Sequence, residues 1–178
     1  MTPTKTPANK TDRLLQLFLA ATVAVFAVLL WDTLRDRVVK VGDIAPEFAI
    51  TTESGVTVSS SNFPGKVLVL NFWATWCPPC VEETPALERF HKQLKDAGVT
   101  VLAISVDKNE AKYRNFIKRF GVTFATAHDP EATISSMYGT YRYPESYVID
   151  KSGRVIEKIV GPKKWTDENV IKSFRTLL

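Results

Sequence analysis

The sequence predicts an α/β domain: a central mixed β-sheet flanked by helices, preceded by a small N-terminal β-hairpin and one transmembrane helix. Three observations carry this. Strands and helices alternate after about residue 38, the run Leu14–Trp31 is uncharged, and the two cysteines, Cys77 and Cys80, sit between a buried-type strand and a helix. A chain of 178 residues has room for one such domain and an anchor, and too little for two ordinary domains besides.

The first ten residues, MTPTKTPANK, are polar, contain two prolines and have no apolar period, which predicts a disordered tail over 1–10. Leu14–Trp31 reads LLQLFLAATVAVFAVLLW, with only Gln16 and Thr22 as polar interruptions. That is close to the ~20 residues a helix needs to cross a bilayer. A cleaved signal peptide would have a shorter apolar region ending in small residues. The best such site, Val25-Phe26-Ala27, lies inside the run, with Val28 to Trp31 still to come. Residues 11–37 are therefore expected to form an uncleaved anchor helix and link, and 38–178 the folded domain. Basic residues do not orient the span: Lys5, Lys10 and Arg13 precede it, and Arg35, Arg37 and Lys40 follow.

Within the domain, Phe48–Thr52 and Val56–Ser59 flank ESG and read as a hairpin. Val67–Trp73 is an apolar run suited to a strand covered on both faces. Cys80–Ala97 is helical and stops at Gly98, where a left-handed cap is expected. Val99–Val106 is a second buried strand, Asn109–Phe120 a helix ending before Gly121, and Phe124–Ala127 a short strand. Pro130–Tyr138 is helical, Ser146–Asp150 and Val155–Val160 form a hairpin across DKSG, and Thr166–Leu178 closes the chain as a helix capped by Thr166. Phe48, Phe72 and Trp73 are assigned to packing, and His91 and His128 to solvent-facing positions without a role.

The net charge of +4 invites a nucleic-acid reading. Residues 1–40 carry a net +3, beside the apolar run, and the domain is nearly neutral. A phosphate-tracking surface is therefore not expected, and no nucleic acid is expected as a partner.

Three roles compete for Cys77 and Cys80. A structural disulfide over so small a loop removes little entropy from the unfolded chain. A zinc site needs four ligands, and His91 and His128 do not have finger-like spacing. The third role is redox chemistry. A buried strand ends at Trp73, Ala74–Trp76 turn the chain, and a helix starts at about Pro79, where a proline in the first turn is tolerated. This places Cys77 at a helix N-terminus, where free N–H groups and the macrodipole favour a thiolate. Cys80 follows one turn in. One thiol can attack and the other resolve.

NFWATWCPPC, with VGDIAPEF upstream and YPESYVID downstream, resembles the TlpA/ResA/DsbE-like branch of the thioredoxin superfamily over about residues 38–178, a redoxin-type pattern. The resemblance implies a thioredoxin-like fold with extra N-terminal strands and an inserted element near 124–138. It implies a membrane-anchored thiol-disulfide oxidoreductase, with the N-terminus cytoplasmic and the domain in the periplasm or otherwise outside the membrane. It implies reduction of protein disulfides, for example in apocytochrome c during cytochrome c maturation, with a membrane thiol-disulfide protein as electron donor and no dissociable cofactor. By motif match, Pro144 is the family's cis-proline facing the CxxC loop. Asn71 stands where cytosolic-type thioredoxins carry a buried aspartate, which removes a general base there. Glu83, three residues past Cys80, matches a glutamate near the active site, and Glu145 one seen in cytochrome-maturation members. Cys77, Cys80, Glu83 and Pro144 are thus the expected catalytic set, and Trp76, Tyr143 and Glu145 the substrate-binding set. A Cu(I)-handling thioredoxin-like protein is disfavoured by the short cysteine spacing and the absence of a matching distal histidine. A thiol peroxidase is disfavoured because PPCVEET lacks the threonine and arginine that activate peroxide. Pro85 is expected to kink the helix.

Overall fold

The computed structural model describes residues 10–34 and 38–178. The expected tail, apart from Lys10, and part of the link therefore lie outside the described residues. The chain divides into two units, 1–36 and 37–178.

In the first unit, α1 (Lys10–Leu34) contains a stretch, Lys10–Trp31, long and apolar enough to cross a membrane, with mean hydropathy 2.4. The Thr22 hydroxyl donates back to the carbonyls of Phe18 and Leu19, which gives the polar group in mid-span a partner.

The second unit is built on a five-stranded mixed sheet. Its strands are β3 (Val67–Trp73), β4 (Val99–Ser105), β5 (Ala125–His128), β6 (Glu145–Asp150) and β7 (Val155–Val160), in the spatial order β5-β4-β3-β6-β7. Strands β3, β4 and β5 are parallel, while β6 and β7 run antiparallel to their neighbours. Central β3 is buried at every position because both faces are covered, which is why it reads as an unbroken apolar run. One face packs Val67, Val69 and Trp73 against Leu87 and Phe90 of α2 (Pro78–Leu94), Tyr113 and Phe116 of α3 (Glu110–Phe120), and Phe174 of α5 (Glu168–Thr176). The other packs Leu68, Leu70 and Phe72 against Ile134 of α4 (Thr133–Met137) and against Phe48 and Val58, which belong to the region of the separate hairpin β1 (Ala49–Thr51) and β2 (Thr57–Ser59).

Several boundaries differ from the sequence reading. α2 begins at Pro78 because Cys77 takes the cap; it continues through Pro85 to Leu94, and a 3-10 turn, Lys95–Ala97, carries the chain to Gly98 at φ 112°. α5 is capped by Asp167, which accepts from the Asn169 N–H, and not by Thr166: Trp165 is drawn fully into the core, so the preceding segment is a loop. The helix expected over Pro130–Tyr138 is only Thr133–Met137, because Asp129 accepts from the Ile134 N–H and Ala132 is left-handed at φ 54°. The histidines do not face solvent freely. His128 is half-buried and stacked on Tyr113, and His91 is half-buried beside Phe124. Burial holds the His91 imidazole below its usual pKa.

Candidate active site

The turn after β3 delivers Cys77 to the N-cap of α2, followed by Pro78 and Pro79. Prolines fit these positions because the first helical N–H groups have no partner within the helix. Cys77 and Cys80 form a disulfide with 5.3 Å between their Cα atoms. The Cys80 N–H points at the Cys77 sulfur at 3.3 Å, so that sulfur is held on the positive end of the helix. Both sulfur-bearing residues are buried, Cys77 at 5% exposure and Cys80 at 1%.

The antiparallel register of β3 on β6 pairs Asn71 with Ser146 and Phe72 with Glu145. Pro144 therefore sits at the end of the sheet from which the Cys77 turn leaves. The Tyr143–Pro144 peptide bond is cis. The Tyr143 ring meets the Trp76 ring edge-on, with centroids 5.9 Å apart, and Trp76 is 63% exposed. Trp76 thus projects from the surface beside the cysteines.

Glu83 is a buried carboxyl one helical turn beyond Cys80 on the same side of α2. One oxygen accepts from Asn71 Nδ2 at 3.2 Å; the other accepts from the Lys163 N–H at 3.0 Å and the Trp165 indole at 3.3 Å. Asn71 Nδ2 also donates to Ser146 Oγ at 2.9 Å. Burial raises the Glu83 pKa from its ordinary 4.5 to about 7, outweighing the stabilisation of the charged form by Lys163, Trp165 and Asn71. The site thus has an acid–base group poised near neutrality, although position 71 is an amide. A surface groove lined by Glu82, Glu83, Pro162, Lys163 and Asp167 lies on this side of α2.

Glu145 departs from expectation. Alternation along β6 puts it on the same face as Tyr147 and Ile149, opposite the face that holds the cysteines. It is fully enclosed; one oxygen accepts from Tyr147 Oη at 2.6 Å and Lys158 Nζ at 2.9 Å. Lys158 also donates to the Val39 carbonyl. Its expected substrate contact is therefore corrected to a buried ion pair, because no face of the carboxyl is open to a ligand. Burial and the Glu145 carboxylate both push the Tyr147 phenol above its usual pKa. The sequence reading missed Trp165 and Ser146, which reach the site only through pairings far apart in the chain, and Lys158, which neutralises Glu145 on the opposite face.

The chain matches the family model described as Redoxin over residues 40–174. It is 35% identical over 127 residues to the thiol-disulfide oxidoreductase ResA of Bacillus thuringiensis subsp. konkukian, an alignment spanning 71% of this chain and 73% of that one. It is 30% identical over 137 residues to the ResA of Bacillus subtilis, spanning 77% and 75% of the two chains. Among solved structures, a thiol:disulfide interchange protein of the thioredoxin family from Chlorobium tepidum superposes with a TM-score of 0.65 at 31% identity, covering 77% of this chain and 99% of that one. A thioredoxin-like fold with a CxxC pair at a helix N-terminus defines a thiol-disulfide oxidoreductase. The chain belongs to the redoxin family, among proteins resembling ResA.

Proposed function

We propose that this oxidoreductase works in the reducing direction, on protein disulfides outside the cytoplasm, held to the membrane by α1. The observation that carries the reading is the buried Glu83 carboxyl one turn behind Cys80 on a helix capped by the Cys77 sulfur. In the reduced protein, Cys77 thiolate attacks one sulfur of a substrate disulfide; the S–S bond breaks, a Cys77–substrate disulfide forms, and the expelled thiolate takes a proton from solvent. Ionised Glu83 accepts the Cys80 proton. Cys80 thiolate then attacks the Cys77 sulfur, releasing the second substrate thiolate and closing Cys77–Cys80. Two electrons pass to the substrate. A membrane dithiol protein restores the pair.

Trp76 and Tyr143 form the aromatic rim on which a substrate segment docks, next to Pro144. Apocytochrome c, whose haem-attachment cysteines are also spaced CxxC, is the substrate class that fits a reductase of this branch. The test uses reduced full-length protein in detergent and a peptide carrying an oxidised CxxCH segment. One dithiol peptide should be released per Cys77–Cys80 disulfide formed; a peptide that stays oxidised beside reduced protein would contradict the reading. The anchor is tested separately. Full-length protein should remain in the membrane pellet after carbonate extraction, and a chain starting at Val38 should be soluble and active. A mature N-terminus just after Ala27 would replace the anchor with a cleaved signal.

A further inference from the structure

We propose that Asp107 is a positioning residue for the attacking thiol, its carboxylate clamping Thr75 and, through Thr75, the turn that seats Cys77 on the cap of α2. Asp107 lies just past the end of β4 and is 2% exposed. One oxygen accepts from the Thr75 N–H at 2.9 Å and the other from the Thr75 hydroxyl at 2.6 Å. The first oxygen also accepts from Ser105 Oγ at 2.7 Å, and Ser105 Oγ in turn accepts from the Asp107 N–H at 3.1 Å. Among the described residues no Lys or Arg pairs with this carboxylate.

A buried carboxylate without a counter-ion is expensive unless hydrogen bonds compensate it, and two of the three side-chain-accepted bonds here come from a single loop residue. Two-point attachment fixes both the position and the rotation of Thr75. The neighbouring contacts complete the frame. The Val106 N–H donates to the Trp73 carbonyl at 3.0 Å, and the Cys77 N–H donates to the Ala74 carbonyl at 3.2 Å, closing the turn that contains Thr75. A His128 ring nitrogen meets the Asp107 carbonyl at 2.6 Å, tying in the end of β5. Thr75 is two residues from Cys77, so a loosened clamp lets Cys77 drift from the helix N–H groups that favour its thiolate.

The sign of the effect separates positioning from simple charge. Removing a nearby negative charge would by itself lower the thiol pKa. Losing the cap geometry raises it. The test measures the pH dependence of Cys77 alkylation in reduced full-length protein, together with the urea unfolding midpoint. Asp107→Asn should raise the Cys77 titration midpoint by about one pH unit and slow alkylation at neutral pH about tenfold. Thr75→Val, which changes no charge and keeps the N–H bond, should move the midpoint the same way by less, and Thr75→Ser should behave like wild type. A lowered midpoint, or an unchanged one with only a lower unfolding midpoint, would overturn the proposal. If Asp107→Asn does not fold, Thr75→Val against Thr75→Ser decides it. The inference rests on Cys77 being the attacking thiol; faster alkylation of Cys80 in the unsubstituted protein would fault that reading and leave the clamp to be judged on the substituted ones.

Discussion

Cys77→Ser is expected to reduce disulfide exchange to background, while Cys80→Ser keeps the first step and accumulates mixed disulfides with substrate. The sulfur at position 77 caps α2 and receives the Cys80 N–H, so its thiolate is the form the helix end stabilises. That interaction is worth about 0.3 to 2 kcal/mol depending on exposure, which corresponds to an alkylation advantage of Cys77 over Cys80 of about twofold to thirtyfold. Burial of Cys80 at 1% exposure adds to the difference. A serine hydroxyl is no substitute, because it stays protonated where a thiol ionises and cannot form the S–S bond on which both steps depend. Alkylation rates followed by mass spectrometry, and gel shifts of trapped adducts, check the prediction. Equal rates at the two thiols would undo the division of labour.

Glu83→Gln should change both the pH dependence of stability and the redox balance. The carboxyl titrates near 7 in the folded chain against an ordinary 4.5, raised by burial. A folded-state pKa above the unfolded one means that the native state holds the proton more tightly. Stability from this group is therefore fully present below about 4.5 and is lost as pH rises through about 7, a change of about 3 kcal/mol. Urea denaturation of the oxidised protein at pH 4.5 and pH 8 should show this loss, and the glutamine variant should not. Its amide presents only one acceptor oxygen to the three donors of Asn71, Lys163 and Trp165, so its stability is flatter with pH and not simply higher. In the reduced protein, the Glu83 carboxylate near Cys80 opposes thiolate formation as a like charge. Glu83→Gln should lower at least one thiol pKa, stabilise the reduced pair and shift the potential upward, toward a weaker reductant. No change in thiol titration would make Glu83 a bystander, and a rise would contradict the like-charge argument.

The parts of the fold that were legible in the sequence are those decided locally. Val67–Trp73 is found at the residues expected, because a strand buried on both faces must be apolar throughout. The cap position of Cys77 follows from a strand, a short turn and two prolines that only a first helical turn tolerates. The helix expected over Asn109–Phe120 is found as Glu110–Phe120 with Asn109 as its cap and Gly121 at its other end, again from near neighbours. What stayed hidden depends on pairings distant in sequence. Trp165 meets Glu83 across 82 positions and Asp107 meets Thr75 across 32. Glu145 was expected in the substrate-binding set. Its burial follows from the alternation of β6, but its neutralising partner, Lys158, is fixed by the β6–β7 register, which includes a bulge between Val148 and Ile149. At the start of α5 the expected cap, Thr166, gave way to Asp167, because burial of Trp165 draws the preceding segment into a loop.

The direction of electron flow is the central claim, and the potential of the Cys77–Cys80 pair tests it most directly. Full-length protein is equilibrated at pH 7 in graded dithiothreitol buffers, and the oxidised fraction is read from the mass added by alkylation. The account predicts one two-electron transition, a tenfold change in ratio for about 30 mV, centred near thioredoxin's value of about −270 mV or below, and less negative in Glu83→Gln. A midpoint near the about −120 mV of the strong oxidant DsbA would contradict it.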